Sequence, residues 1–384
     1  VVIYNDVKRL YDNRKKELEQ VVALRKAEEL KWAEAHPAEA AKQAQWFSGQ
    51  LPPIDWNSIS VKDNDATRNA SAAVLGVLGE KVENMICSSA DLCNSDKTDG
   101  FLKKTRNITK GDFGGKFFQA GVSELTMACC CIGMMLHGGV HAAMGTFFVF
   151  SDYMKPAIRM AALMEIPVKF IWTHDSFRVG EDGPTHEPIE QEAQIRLMEK
   201  VKNHKGQNSL LVLRPADVHE TVECWKLAYE NLKTPTALIL SRQKIEDLPA
   251  NTNYEGAAKG GYAVIDEKEP DVILLASGSE VSTLVNAAKL LENDGIKAKI
   301  VSIPSEGLFR NQPESYQTDL LPQRVKKFGL TAGLSINLVQ LVGFDGKVYG
   351  MDSFGYSAPY TVLDEKLGFT PENIYRQIKE YINA

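Results

Sequence analysis

The chain has 384 residues, of which 44% are hydrophobic and 24% are charged, as in ordinary water-soluble globular proteins of about two to three domains. Its formal net charge of −6 argues against a general nucleic-acid-binding protein, which would carry a basic face. The longest apolar run, residues 125–136, is too short to span a bilayer.

The sequence pattern of residues 1–60 predicts a helical connector. A short strand at Val1–Tyr4 precedes a long mixed-charge helix that Pro37 interrupts, a second helix covers 38–47, and Pro52-Pro53 marks a hinge. This part has too little strand–helix alternation for a domain of its own. The start at Val1, without a methionine, suggests that the sequence begins inside a longer gene product or follows processing.

Strands and helices alternate from residue 61 to residue 247. The predicted strands are 85–87, 116–119, 146–150, 168–172, 209–213 and 236–240, and the predicted helices are 68–78, 123–136, 152–164, 188–200 and 217–231. Such alternation is typical of a doubly wound, mostly parallel sheet.

Cysteine usage in the helix predicted at 123–136 bears on the cellular compartment. Cys129, Cys130 and Cys131 are consecutive in an apolar segment, and no two of the six cysteines form a C-x-x-C pair. We expect small core residues, not a metal cage or a disulfide framework, and a cytoplasmic protein. No metal site is predicted, since Gly138-Gly139 would break a helix between His137 and His141.

A second α/β unit follows the linker at residues 248–253. Its predicted elements are a strand at 272–276, a helix at 280–293, a strand at 298–303 and a closing helix at 371–382. The expected fold class is therefore α/β, with two doubly wound, mostly parallel-sheet domains, 61–247 and 254–384, preceded by a helical linker, 1–60.

The loop T-H-D-S-F-R-V-G-E-D-G-P-T-H-E-P at residues 173–188 is the densest group of titratable residues in the chain. It follows an apolar predicted strand, and ligands of open α/β sheets bind at the carboxyl ends of strands. The two histidines and three acids of this loop are therefore candidate ligand-binding residues, namely His174, His186, Asp175, Glu181 and Asp182.

Two further stretches leave structural and functional interpretations open. Glu124 follows a candidate N-cap, Ser123, and is either a carboxylate that complements the helix dipole or a partly desolvated functional acid. The aromatic residues Phe147, Phe150 and Tyr153 lie at a strand-to-helix junction. Aromatic clusters usually belong to the core, but this position also suits the stacking of a flat heterocycle.

Three polar residues fall near the ends of predicted elements, namely Arg68, Ser89 and Arg242. Arg242 follows a buried strand, as His174 does, so the two could converge on one anionic group such as phosphate. The turn Gly278-Ser-Glu280 could bind an anion at a helix start, although such turns are more often structural.

Together these stretches resemble transketolase. The matching motifs are A-T-R-N-A-S (66–71), S-S-A-D-L (88–92), G-V-S-E (121–124), T-F-F-V-F-S-D-Y (146–153), R-M-A-A-L-M (159–164), T-H-D-S with G-E-D-G-P-T-H-E-P (173–188), L-R-P-A-D (213–217) and L-I-L-S-R-Q (238–243). They cover residues 61–245 in order, and G-S-E-V and F-G-x-S-A-P extend the resemblance into the C-terminal region.

The resemblance implies a pyrimidine-binding domain for thiamine diphosphate. Glu124 would share a proton with the pyrimidine ring nitrogen, and Phe150 would stack on the ring between Phe147 and Tyr153. The sugar-phosphate contacts would be Arg68, Ser89, His174 and Arg242. Asp182 would recognise an acceptor hydroxyl and His186 the donor, with Glu124, His174 and His186 as the catalytic residues. The implied reaction moves a two-carbon ketol unit from a ketose phosphate to an aldose phosphate in the pentose phosphate pathway.

The resemblance also indicates what this sequence does not contain. The family's G-D-G motif, which binds magnesium and the diphosphate, has no counterpart, so we expect the Mg²⁺ ligands on a diphosphate-binding domain or subunit, in a homodimer or heterotetramer. The alternatives are a non-catalytic dimerisation or regulatory subunit that retains the fold, and another thiamine diphosphate enzyme. The latter could be a 1-deoxyxylulose phosphate synthase or a 2-oxoacid dehydrogenase β-subunit, but paired arginines disfavour donors without phosphate.

Overall fold

The computed structural model describes residues 3–384. The chain divides into a helical unit, Val1–Gln50, and a larger unit, Leu51–Ala384. The helical unit consists of α1, Asn5–Ala35, and α2, Pro37–Phe47, which begins at the predicted proline. Of the strand predicted at Val1–Tyr4, Val1 and Val2 lie outside the described residues, and Ile3 and Tyr4 form no strand. Neither helix buries a residue, so this unit has no core of its own.

The first sheet of the larger unit is entirely parallel. Its strands are β1 Met85–Ser89, β2 Phe117–Gln119, β3 His141–Phe147, β4 Lys169–Thr173, β5 Leu211–Leu213 and β6 Thr236–Leu240, in the order β2-β1-β3-β4-β6-β5. Its helices are α3 Thr67–Lys81, α4 Cys93–Asp96, α5 Asp99–Leu102, α6 Glu124–His137, α7 Ser151–Leu163, α8 Gln191–Lys200 and α9 Val218–Glu230. Because every pairing is parallel, the carboxyl ends of all these strands share one edge.

The second sheet follows residue 260. Its strands are β7 Tyr262–Ile265, β8 Val272–Ala276, β9 Ala298–Ser302, β10 Lys326–Leu334 and β11 Lys347–Met351, in the order β11-β10-β8-β9-β7, with only β7 antiparallel. Its helices are α10 Glu280–Asn293, α11 Glu306–Arg310, α12 Glu314–Leu320, α13 Ile336–Val342, α14 Tyr360–Leu367 and α15 Pro371–Asn383. The predicted fold class, two mostly parallel α/β domains, is confirmed.

Some elements differ from the sequence-based expectation. β3 begins at His141 and ends at Phe147, where a 3-10 turn over Phe148–Phe150 replaces the predicted strand end. The run His141-Ala-Ala-Met-Gly has few β-branched residues, so its strand propensity is weak. β10 escaped prediction because glycines at 329 and 333 interrupt its apolar pattern.

The prediction for the three consecutive cysteines is correct only for Cys131, which is buried, and wrong for Cys129 and Cys130, which are exposed. Successive residues on a helix point about 100° apart, so one side chain of the three faces the sheet and the others turn away. All six cysteines are free thiols. Among residues 3–384, no helix combines the length and the apolar composition that crossing a membrane requires.

Candidate active site

The carboxyl ends of β3, β4 and β6 bring the main candidate residues together. His174 directly follows β4 and has a positive φ of 63°, a backbone conformation that non-glycine residues rarely adopt unless the surrounding structure holds them there. Its ring stacks on Phe147, the last residue of β3, with 3.6 Å between the ring centroids. Its Nδ1 lies 2.8 Å from the Thr173 hydroxyl.

A buried pair of hydroxyl residues brings Arg68 close to Arg242. The Thr67 amide donates to Ser241 Oγ (3.0 Å), and the Ser241 amide donates to Thr67 Oγ1 (2.7 Å). Each arginine is the next residue along the chain, so this pair fixes the start of α3 beside the end of β6. Arg68 Nη1 lies 3.4 Å from His174 Nε2, and thus the three predicted phosphate contacts from distant parts of the chain meet at one place.

Arg68 and Arg242 place two positive charges beside His174. Burial lowers the pKa of Arg68, and the positive charge of Arg242 lowers it further, while Asp65 and Asp96 act in the opposite direction. The pKa of His174 falls to about 2 through burial and the positive charge of Arg68, Arg242 and His186. His174 is therefore neutral near pH 7. Two guanidinium groups and a neutral imidazole form a site suited to a phosphate dianion.

The aromatic residues continue the same surface. The rings of Phe147 and Phe150 are nearly parallel, with centroids 5.9 Å apart, and Tyr153 lies 6.1 Å beyond Phe150. His186 meets the Phe150 ring edge-on at 5.4 Å. Phe148 points away from them into the core, stacked on Trp172. Phe150 is half-buried and Tyr153 is 62% exposed, so an aromatic face remains open beside the cationic group.

Glu124 is the first residue of α6 and is 8% exposed. Ser123 occupies the expected N-cap position, but its hydroxyl donates to the Ala120 carbonyl at 2.8 Å instead of capping the helix. Ala120 itself pairs with the last residue of β1, since its amide donates to the Ser89 carbonyl. Glu124 therefore follows β2 at the same sheet edge as the aromatic residues.

The loop at 180–187 carries Asp182 and His186. Asp182 is exposed and His186 is half-buried, with Nδ1 2.8 Å from the Thr185 hydroxyl. The second sheet domain holds this loop, because Ser357 Oγ donates to the Glu181 carbonyl at 2.6 Å.

Glu187 closes this loop and was not singled out in the sequence. Its side chain is 2% exposed, and both carboxylate oxygens lack a hydrogen-bond partner among the described residues. Burial raises its pKa to about 7.

The Ser89 side chain is hydrogen-bonded to its own loop. Its side chain is fully buried, and its hydroxyl donates to Asp96 Oδ2 at 2.6 Å and accepts from the Leu92 amide. The hydroxyl is thus engaged by the protein itself. Ser95 contacts Arg68, since its carbonyl accepts from Arg68 Nη1 at 2.9 Å. The assignment of Ser89 to a phosphate contact stays a prediction.

One trio of side chains within residues 3–384 could hold a metal ion, and it is separate from this site. The ligand atoms of Asp63, His219 and Asp247 lie within 4.8 Å of one another. His219 Nε2 is 3.4 Å from Asp63 and 3.7 Å from Asp247. Exposed acidic groups commonly cluster without a bound ion, and we assign no metal to the trio.

Comparison with protein families identifies two matching regions. The model of the transketolase pyrimidine-binding domain matches residues 64–247, and that of the transketolase-like C-terminal domain matches residues 260–370. A transketolase of Geobacillus stearothermophilus is 41% identical over 366 residues, which cover 91% of this chain and 53% of that protein. A Bacillus subtilis transketolase is 40% identical over 362 residues, covering 92% and 52%. The chain thus spans about half the length of the curated relatives it matches.

Solved structures of transketolases share the fold of this chain. A transketolase from Leishmania mexicana superposes with a TM-score of 0.89 at 32% identity, over 100% of this chain and 55% of that one. A structure described as a split-gene transketolase, an inactive β4 tetramer, shares the fold with a TM-score of 0.63 at 21% identity. It matches over 83% of this chain and 99% of its own.

Proposed function

This chain belongs to the transketolase family, and on that premise we propose that it supplies the pyrimidine side of a thiamine-diphosphate-dependent active site. The reaction is the transfer of a two-carbon ketol unit from a ketose phosphate to an aldose phosphate, in the pentose phosphate pathway of the cytoplasm. The observation that carries the proposal is the convergence of Arg68, Arg242 and His174 next to the Phe147–Phe150 aromatic surface. The proposed division is a linker at 1–60, a pyrimidine domain at 61–247 and a C-terminal domain at 254–384.

The residues present fit the pyrimidine end of thiamine diphosphate. The half-buried ring of Phe150 and the exposed ring of Tyr153 offer apolar faces to a flat heterocycle. Glu124 offers a nearly buried carboxyl at the same sheet edge, and we assign it the role of holding a proton at the pyrimidine ring nitrogen. When bound, the cofactor supplies the carbon that carries the two-carbon unit between sugars. The diphosphate and its Mg²⁺ would be held by a diphosphate-binding domain, on this or another polypeptide.

The remaining side chains orient the sugar. Arg68 and Arg242 would hold the phosphate as charged donors, and His174, which is neutral, would add one further hydrogen bond. The His186 ring lies edge-on to Phe150 at 5.4 Å and to Phe147 at 6.3 Å, and Phe147 in turn stacks on His174. His186 is therefore assigned to the donor's first hydroxyl and carbonyl region, with Asp182 toward an acceptor hydroxyl. Positioning of this kind supplies much of the rate in reactions that a cofactor carries.

The decisive test is ketol transfer with and without a separately supplied diphosphate-binding domain. We expect activity, in the presence of thiamine diphosphate and Mg²⁺, only in the assembly that contains both parts. In that assembly Glu124→Gln should lower turnover at least about a hundredfold, because the amide keeps the shape but cannot exchange a proton. Glu314→Gln is the matched control, since Glu314 is also the first residue of a helix but lies on α12 and is exposed.

The outcome separates catalysis from a purely structural role. Absence of activity in every combination would favour a non-catalytic dimerisation or regulatory subunit. Unchanged turnover of the Glu124→Gln assembly would refute only the role assigned to Glu124 and leave the other assignments standing. The mass of the active assembly, measured by light scattering, would distinguish a homodimer from a heterotetramer.

A further inference from the structure

The turn at the start of α10 forms a buried polar contact between the two sheet domains. Glu280 is fully buried, and its Oε1 accepts from Arg178 Nη1 at 2.7 Å while its Oε2 accepts from Arg214. Ser279 Oγ donates to Glu280 and accepts from Arg178 (2.9 Å) and from Gln243 Nε2 (3.1 Å). The two residues, here called the Ser279–Glu280 pair, therefore contact three side chains of the first sheet domain.

All three of these contacts lead to the proposed phosphate site. Arg178 belongs to the short 3-10 turn that follows His174 in the same loop. Arg214 uses its second terminal nitrogen to donate to Asp175 Oδ2 at 2.7 Å, and Asp175 is the neighbour of His174. Gln243 is the neighbour of Arg242. The Ser279–Glu280 pair is thus hydrogen-bonded to both segments that carry the phosphate contacts.

Buried ion pairs hold Glu280, Arg178 and Arg214 together. Although burial opposes ionisation, Arg214 and Arg178 lower the pKa of Glu280, so its carboxylate is charged. Arg178 is fixed from a second side by Asp364 at 2.7 Å and lies over the rings of Phe177 and Phe369. Removing one member of such a buried group leaves the others uncompensated, so the members move little independently.

The backbone of His174 needs such support. Its positive φ is unfavourable for a residue with a Cβ, and strained residues persist where the surrounding structure over-determines them. Asp175 and Arg178, on the C-terminal side of this residue, are both tied to the Ser279–Glu280 pair or to its partner Arg214.

We propose that the Ser279–Glu280 pair is a positioning element that sets the spacing of His174 and Arg242 for the substrate phosphate. The C-terminal sheet domain then acts as the template for the phosphate end of the site. This proposal rests on the proposed function, because it presumes that His174 and Arg242 bind the phosphate.

The alternative is that the Ser279–Glu280 pair has a purely structural role and only joins the two domains. Another residue of the chain serves as a matched control for that role. Glu220 is also a fully buried carboxyl at the contact between the same domains, where it accepts from Tyr262 (2.7 Å) and Ser302 (2.9 Å). The third donor to the Glu220 carboxylate is the backbone amide of Ala216. None of these three partners belongs to the 174–178 segment or to 242–243.

The test compares Glu280→Gln, Ser279→Ala and Glu220→Gln for binding of inorganic phosphate to the whole chain, measured by calorimetry well below each melting temperature. We expect Glu280→Gln and Ser279→Ala to weaken phosphate binding about tenfold and Glu220→Gln to change it little, as for a coupling through a specific contact network. Ser279→Ala removes a single hydroxyl and keeps the test informative if Glu280→Gln does not fold.

The possible results separate the two proposals. Equal phosphate affinity in the parent and in all variants would overturn the positioning role, as would an equal loss in all three variants. If the parent chain binds no phosphate, the assigned phosphate site itself fails, and the positioning role fails with it. In the complemented enzyme, Glu280→Gln should raise KM for the ketose phosphate while leaving KM for a donor without phosphate unchanged.

Discussion

Gly278 is the residue at which a single added methyl group should disturb the contact between the two sheet domains. Its φ is +64°, and a Cβ placed there would lie 2.5 Å from Arg214 Cζ and 2.7 Å from Nη1. Arg214 cannot retreat easily, because its two terminal nitrogens are bound to Asp175, Glu280 and the Ser277 carbonyl. Gly278→Ala should therefore displace the guanidinium from at least one buried carboxylate.

The expected loss of stability has two parts. The left-handed backbone conformation costs a residue with a Cβ about 1 kcal/mol, and breaking a buried ion pair costs about 3 kcal/mol. Gly111→Ala is the matched control, since Gly111 has a φ of +82° but no atom within 4 Å of the added Cβ. The control should show only the backbone part, so the difference between the two variants should be about 3 kcal/mol.

Urea unfolding of the whole chain measures both values, with the two variants analysed under identical conditions. Both substitutions reduce the freedom of the unfolded chain to a similar extent, so that effect cancels in the comparison. Equal losses of stability in Gly278→Ala and Gly111→Ala would refute the rigidity that the structure indicates for Arg214. Weaker phosphate binding in Gly278→Ala, but not in Gly111→Ala, would connect this rigidity to the proposed site.

Two predictions concern the pH dependence of stability. His174 is neutral in the folded protein, with a pKa of about 2, whereas the unfolded chain binds a proton below about pH 6.5, so stability falls as the pH drops through that value. When the pH is lowered from 7.5 to 5, the free energy of unfolding should therefore fall by about 2 kcal/mol less in His174→Asn than in the parent. Equal decreases in the two proteins, measured by urea unfolding, would contradict this. Burial raises the pKa of Glu187 to about 7, so its ionisation destabilises the folded protein as the pH rises from the pKa of the unfolded chain toward 7. Glu187→Gln should therefore raise the melting temperature relative to the parent at pH 8, and raise it less at pH 5. A difference in melting temperature that does not depend on pH would contradict the buried, unpartnered carboxyl.

The sequence predicted which side chains come together better than it predicted their detailed contacts. The alternation of strands and helices placed His174 and Arg242 after parallel strands, and parallel strands have a common carboxyl edge, so their convergence was predictable. The joining of Arg68 to this edge depends on the Thr67–Ser241 hydrogen bonds. No local pattern encodes such a pairing, since the two residues are 174 positions apart.

Side-chain direction was the least predictable feature. Ser89 is at the end of a strand, where successive side chains alternate between the two faces, and a shift of one residue turns the hydroxyl from one face to the other. The buried acceptor Asp96 captures this hydroxyl. Cys129 and Cys130 show the same limit on a helix, since the apolar composition of α6 does not reveal which side meets the sheet.

The turn Gly278-Ser-Glu280 shows why a motif of this kind is more often structural than anion-binding. A strand–turn–helix start suggests an anion site, because the helix amides are free there. Here the first residue of the helix is an acid, Glu280, which binds two guanidinium groups of the chain itself. Arg178 and Arg214 are thereby engaged in holding the loops of the proposed site, whereas burial and the nearby positive charge of Arg242 lower the pKa of Arg68. The difference between a structural and a ligand-binding arginine in this chain is therefore whether the protein itself supplies the anion.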